Sequence, residues 1–172
     1  MIGAFAGSVK RNTNIVKTES VDILMVCSGN TCRSPMAEGI GKQILAAAYG
    51  VGPDELPAKG YHVHSAGTFA MDGMPVSAES VQAMRDEGID ISNHFSTTLT
   101  KQLIDQATII YCMTESHRQA VLSISPDAAA KTVRLDEQQD VDDPIGMGLS
   151  AYQSTAKMIR RGLENRLKEF AK

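Results

Sequence analysis

The chain has 172 residues, 42% of them hydrophobic, and a formal net charge of −3 at pH 7. That is the length of one ordinary domain with enough apolar material for a full core. The charge balance gives no broad basic face for nucleic acid, and no apolar run reaches the roughly 20 residues of a membrane-spanning helix.

Residues 1–20 are polar beyond Gly7 and read as a loosely ordered extension. The opening Met1–Gly7 is too short for the apolar core of a signal segment, and Lys10 and Arg11 follow it instead of preceding it. Val21-Asp22-Ile23-Leu24-Met25-Val26 is branched and apolar, and predicts a strand. After Cys27-Ser28-Gly29-Asn30-Thr31-Cys32-Arg33-Ser34, Pro35 opens a helix with Ser34 as its candidate cap. Met36, Ile40, Ile44 and Leu45 recur there at helical spacing. Residues 50–59, with Pro53 and Pro57, read as a loop.

A second strand is predicted over 61–66, a serine-capped helix over 77–87 and a short helix over 100–106. The apolar run at 108–113 predicts a third strand and makes Cys112 a core residue. A helix over 115–123 and a short strand over 132–135 follow. The last helix shows one stripe, Leu149, Tyr152, Ala156, Ile159, Leu163, Leu167 and Phe170, and packs on the sheet. Alternating strands and helices predict a single α/β domain whose four-stranded parallel sheet is covered on both faces. Ligands in such sheets bind beyond the carboxyl ends of the strands.

Cysteine at a strand end, a tight loop and arginine at a helix start make a phosphate cradle with a nucleophile at its base. Backbone N–H groups of the loop can form an anion nest, reinforced by the helix N-terminus. Gly29 is expected to take the backbone angles that side chains resist. Arg33 offers a planar fork for two phosphate oxygens. The same positive field acts on Cys27: helix N-termini and cations lower a thiol pKa from roughly 8.5 toward roughly 3.5–7.5. That makes Cys27 a thiolate at neutral pH, with Ser34 available to donate to it. No Walker loop and no paired Cys/His spacing for zinc is present.

Asp140-Val141-Asp142-Asp143-Pro144 is acidic and turn-like. An aspartate there can protonate a leaving group and then take a proton from water. Asp143 is the expected acid and Asp142 the substitute.

Residues 21–38, with Ser34-Pro35-Met36-Ala37-Glu38, resemble the active-site signature of the low-molecular-weight protein-tyrosine phosphatase family. The likeness continues through His64-Ser65-Ala66-Gly67-Thr68, Glu87-Gly88-Ile89-Asp90-Ile91-Ser92-Asn93-His94 and Asp143-Pro144. The resemblance implies a flavodoxin-like domain over 21–172 and a metal-independent, cofactor-free phosphatase of the cytoplasm, monomeric or weakly dimeric. It would act on phosphorylated proteins through a cysteinyl-phosphate. It implies Cys27 as nucleophile, Arg33 as phosphate clamp and Asp143 as general acid. Ser28, Gly29, Asn30, Thr31, Cys32 and Ser34 would form the phosphate loop, with Ser65 and His94 supporting Asn30.

Three positions bear on substrate. Thr31 stands where many tyrosine-directed members carry a bulky aliphatic residue, and resembles the protein-arginine phosphatase branch. Ile145 follows the Asp-Pro pair, where tyrosine-directed members tend to carry an aromatic residue and the arginine branch often carries phenylalanine, and Met71 stands where tyrosine-directed members often carry an aromatic wall. Phosphoarginine is favoured over phosphotyrosine, with Thr31 as a packing residue the alternative. Thiol-coupled arsenate reductases share the fold but need a second downstream cysteine pair, and this chain offers only Cys112. Cys32, five residues after Cys27, is either a redox partner for it or a packing residue. His62 and His64, two residues apart, would lie on one face of a strand without a third ligand, and His117 is expected to be solvated.

Overall fold

In the computed structural model, which describes residues 20–170, the frame is a parallel sheet. It is built from β1 (Val21–Cys27), β2 (Tyr61–Gly67), β3 (Ile109–Cys112) and β4 (Thr132–Arg134) in the order β2-β1-β3-β4. The register pairs Cys27 with Gly67 and Val26 with Cys112. α1 (Arg33–Tyr49), α2 (Ala78–Arg85), α3 (Lys101–Gln106) and α4 (Glu115–Ile124) lie in the crossovers between strands, and α5 (Leu149–Arg166) follows β4.

The alternation of side chains along β1 divides the core. Ile23, Met25 and Cys27 share one face with Met36 and Ile40 of α1, Met84 of α2, and Ile159 and Leu163 of α5. Leu24 and Val26 share the other with Ile104 of α3 and Val121 of α4. Both faces of β1 are thus covered, which is why its sequence is continuously apolar and not alternating. Crossover connections leave the carboxyl ends of the strands on one edge, and Cys27 ends the central β1 there.

Some boundaries differ from the sequence reading. α1 begins at Arg33, so Ser34 lies inside the first turn, and the Cys32 cap position makes no side-chain capping bond. The Ser34 hydroxyl is directed into the loop instead. Pro53–Lys59 forms a 3-10 helix where a loop was expected, with the Glu55 carboxylate accepting from the Gly52 N–H at 2.7 Å. α5 tightens into a 3-10 turn at Leu167–Glu169 before Phe170. The expected extension at 1–20 lies outside the described residues but for Ser20.

Candidate active site

Cys27 is buried at the end of β1, its Sγ 3.0 Å from Ser34 Oγ. Burial pushes the thiol pKa up. The Ser34 hydroxyl, the backbone N–H groups of Ser34 and Asn30 and the Arg33 charge all pull it down, and burial is the larger. This corrects the expectation that the positive field alone decides: desolvation of the sulfur opposes it. The thiolate-stabilising donors are nonetheless in position, and the N-terminus of α1 adds its field to theirs.

The loop is held by Asn30, not by Gly29. Asn30 has φ +54°, the left-handed region, and is the one non-glycine residue among those described with positive φ. Asparagine tolerates that region better than most side chains. Gly29 does not have positive φ, and a Cβ on it would meet only Thr31 Oγ1 at an ordinary 3.5 Å. The glycine that matters is Gly67, where a Cβ would come within 2.3 Å of the Ser28 carbonyl oxygen. Past Gly67 the chain straps onto the loop, Thr68 N–H donating to the Cys27 carbonyl and Phe69 N–H to that of Ser28.

Every polar atom of the buried Asn30 amide is used. Its Nδ2 donates to Ser34 Oγ at 2.8 Å and to Ser65 Oγ at 2.9 Å, and its Oδ1 accepts from Thr97 N–H at 2.7 Å. Because Ser34 accepts from Asn30, its own proton can go to Cys27 Sγ at 3.0 Å, with the Ala66 carbonyl at 3.5 Å the more distant acceptor. Ser65 in turn donates to Glu38 Oε2 at 2.7 Å. His94 Nε2–H donates to the Asn30 carbonyl at 3.1 Å, with Nδ1 3.7 Å from Glu38 Oε2. Glu38, on the second turn of α1, thus collects the support of the loop. The sequence reading quoted it in the motif and gave it no role.

Arg33 is buried, and its forks are anchored. Nη1 donates to the Val141 carbonyl at 3.2 Å, and Nη2 to Asp143 Oδ2 at 2.5 Å and to Ser28 Oγ at 3.5 Å. Asp143 keeps 43% of its side chain exposed and accepts the Ile145 N–H on its other oxygen at 3.2 Å. Of the two candidate aspartates, Asp143 is the one whose carboxylate reaches Arg33. Asp142 gives its backbone carbonyl to Thr155.

His117 overturns the expectation of a solvated residue. It is buried, with Nε2 2.8 Å from Ser28 Oγ and Nδ1 2.9 Å from Thr114 Oγ1. Burial, and then the Arg33 charge, push its pKa down to about 4. Its spacing from Val121 by four residues was the available signal.

Cys32 Sγ donates to Ser77 Oγ at 3.4 Å and lies 3.8 Å from the Tyr152 hydroxyl. Thr31 is half-buried, and its carbonyl accepts the Ser77 N–H at 2.9 Å. Met71 and Ile145 are 70% and 66% exposed. Cys112 is buried in the core, where desolvation pushes its pKa up to about 12. His62 is exposed, and His64 Nε2 pairs with Asp22 Oδ1 at 2.5 Å. Among the described residues no three His, Cys, Asp or Glu side chains converge as a metal site, and no helix is long and apolar enough to cross a membrane.

A parallel sheet that delivers a buried cysteine into a strapped loop, with arginine across from it, defines a protein built to hold a tetrahedral oxyanion against sulfur. The family model of the low molecular weight phosphotyrosine protein phosphatases matches residues 22–172, and the chain belongs to that family. It is 35% identical over 144 residues to the probable low molecular weight protein-tyrosine-phosphatase EpsP of Ralstonia nicotianae, covering 83% of this chain and 90% of that one. It is 34% identical over 157 residues to the protein-arginine-phosphatase of Bacillus subtilis, covering 88% and 95%. Arsenate reductase 2 of Staphylococcus haemolyticus is 30% identical over 143 residues, covering 83% and 93%. Among solved structures, a cysteine-to-serine mutant of the YwlE arginine phosphatase, with its active-site serine phosphorylated, superimposes with a TM-score of 0.78. It is 31% identical, covering 88% of this chain and 97% of that one.

Proposed function

We propose that this protein removes phosphate from phosphorylated protein side chains, phosphoarginine in preference to phosphotyrosine, through a covalent intermediate on Cys27. The observation that carries the reading is the Cys27 sulfur, 3.0 Å from the Ser34 hydroxyl and at the base of a loop closed by Arg33. Sulfur attacks phosphorus in line, an S–P bond forms, and the bond from phosphorus to the side-chain nitrogen or oxygen breaks. Asp143 gives the leaving group its proton. In the second half the acid becomes a base: Asp143 takes a proton from water, the water oxygen bonds phosphorus, and the S–P bond breaks to release phosphate and the thiolate. Arg33 and the loop N–H groups carry the charge on the phosphoryl oxygens. Ser34 stabilises the sulfur as nucleophile and as leaving group. Neither step requires a metal or cofactor.

The phosphorylated serine in the YwlE mutant supports a covalent route, since that residue replaces a cysteine. The arginine preference rests on Thr31 and on Met71, where no aromatic ring stands. A phosphotyrosine ring gains about 0.5–1.5 kcal/mol from stacking that Met71 does not offer. Arsenate reduction is disfavoured because a thiol relay needs an accessible second cysteine downstream, and Cys112 is buried. A reducing cytoplasm suits a protein with three unpaired cysteines.

The test is kcat/KM on matched phosphoarginine and phosphotyrosine peptides for wild type and Thr31→Ile. Wild type is expected to favour phosphoarginine by at least about tenfold and the variant to lose or invert that preference, a change of about 1–3 kcal/mol in discrimination. A phosphotyrosine preference untouched by the substitution refutes the arginine assignment.

A further inference from the structure

We propose that His117 is a positioning residue of the phosphate cradle, acting through Ser28 on the Arg33 guanidinium; the proposal rests on the phosphatase reading above. α4 buries two side chains, Val121 and His117, four residues apart on one face. Val121 packs under the sheet with Val26 and Ile110. One turn earlier the same face passes beyond the carboxyl edge of β1, and a histidine stands where the stripe calls for an apolar side chain. Burying an imidazole there is unfavourable unless both nitrogens find partners.

Both do. Thr114 Oγ1, 2.9 Å from Nδ1, also accepts the His117 backbone N–H at 3.2 Å as the cap of α4, so ring and helix start share one anchor. Ser28 Oγ lies 2.8 Å from Nε2. The groups around the ring are Arg33, Asp140 and Asp143, and the cation and the burial together keep the ring neutral at physiological pH. A neutral imidazole donates from one nitrogen and accepts at the other. It therefore ties Ser28 to Thr114 without adding a second cation beside Arg33. Ser28 Oγ accepts from Arg33 Nη2 over a long 3.5 Å, and the same nitrogen holds Asp143 at 2.5 Å. The result is a continuous chain from the cap of α4 to the carboxylate of the acid loop. Arg33 has no side-chain partner among the described residues other than Ser28 and Asp143. A cation needed to grip phosphate and also to release the acid is steadied by the partner that does not move with the acid loop.

The test uses para-nitrophenyl phosphate, an activated aryl ester whose leaving group needs little help from the acid, with a double-mutant cycle between His117 and Ser28. His117→Ala is expected to lower kcat/KM about tenfold, equivalent to about 1.4 kcal/mol. His117→Gln, whose amide reaches the position of Nε2, is expected to recover most of that. In the Ser28→Ala background His117→Ala is expected to add less than about a twofold loss. A tenfold loss in both backgrounds overturns the proposal. Should His117→Ala fail to fold, nitrogen NMR of the ring carries the test: saturating inorganic phosphate is expected to move the Nε2 resonance in the wild type and not in Ser28→Ala. Equal movement in both, or none in either, refutes the link. A wild type that leaves both this ester and a phosphoarginine peptide intact overturns the phosphatase reading itself, and the role of His117 with it.

Discussion

Behind the cradle, Asn30, Ser65, Glu38 and His94 are hydrogen-bonded to one another with little exposure to water. At its mouth, Met71, Ile145 and Met147 stand more than half exposed, and the Asp143 carboxylate is open to solvent on one side. The rear sets a backbone conformation that no loop would keep alone, because Asn30 occupies the left-handed region and its buried amide needs three partners. The mouth makes few bonds to the frame and can change its side chains without disturbing the loop. Chemistry is therefore built into the least adaptable part of the molecule and substrate choice into the most adaptable, as expected when a rigid scaffold carries variable loops.

Changing Asp143 removes the acid at the mouth and leaves the rear intact. Asp143→Asn is expected to lower kcat on a peptide substrate by about 10²–10⁴-fold, the range of general acid–base catalysis. Its melting temperature should stay within a few degrees of wild type, since asparagine keeps an acceptor oxygen for the buried Arg33 and the side chain at 143 is 43% exposed. Asp142→Asn is expected to keep nearly full turnover, because that residue serves through its backbone carbonyl. If the Asp142 variant is the inactive one, the acid moves by one residue.

Changing Asn30 attacks the rear, where activity and stability should fall together. Asn30→Ala leaves the Thr97 N–H without its partner, takes away the donor that Ser34 and Ser65 each accept from, and forces alanine into positive φ. The expected cost is about 2–4 kcal/mol, or about 5–15 °C in the melting temperature at this chain length, with kcat reduced at least about tenfold. Lost turnover with an unchanged melting curve would show that the rear is not the rigid part.

The two regions were not equally legible in the sequence. β1 and α5 could be read because burial on both faces, or on one stripe, leaves a pattern in composition. The cradle could be read because cysteine, arginine, serine and proline at fixed spacing are rare together. The residue of positive φ was assigned to Gly29, since glycine is the usual occupant, while the hydrogen bonds that hold Asn30 there come from β2, α1 and the 94–97 segment. Ser34 reads as a cap because Pro35 marks the helix start, two residues later than its actual start at Arg33. His117 was missed because its polar neighbours, Glu115 and Arg118, disguise the face it shares with Val121. For Asn30 and His117 the deciding contacts, to Ser65, Thr97 and Ser28, are long-range in sequence, and local pattern carries little of them.

Ser34 touches both regions, and so reports on whether the rear tunes the reactive sulfur or merely supports its loop. Burial raises the Cys27 pKa, and the Ser34 hydroxyl is the strongest of the groups lowering it. Ser34→Ala removes that donor, so the pKa rises further and the thiolate fraction at any pH below it falls. The rate of Cys27 alkylation by iodoacetamide, followed by mass spectrometry across pH, should have its midpoint displaced to higher pH in the variant. At neutral pH kcat should fall about tenfold, as expected for one hydrogen bond to a charged group. Because Asn30 donates to the same hydroxyl at 2.8 Å, the variant also leaves one Asn30 N–H without its partner, and a small loss of stability should accompany the shift. An unmoved alkylation midpoint would mean that Ser34 serves the loop and that the sulfur is tuned by the backbone N–H groups and Arg33.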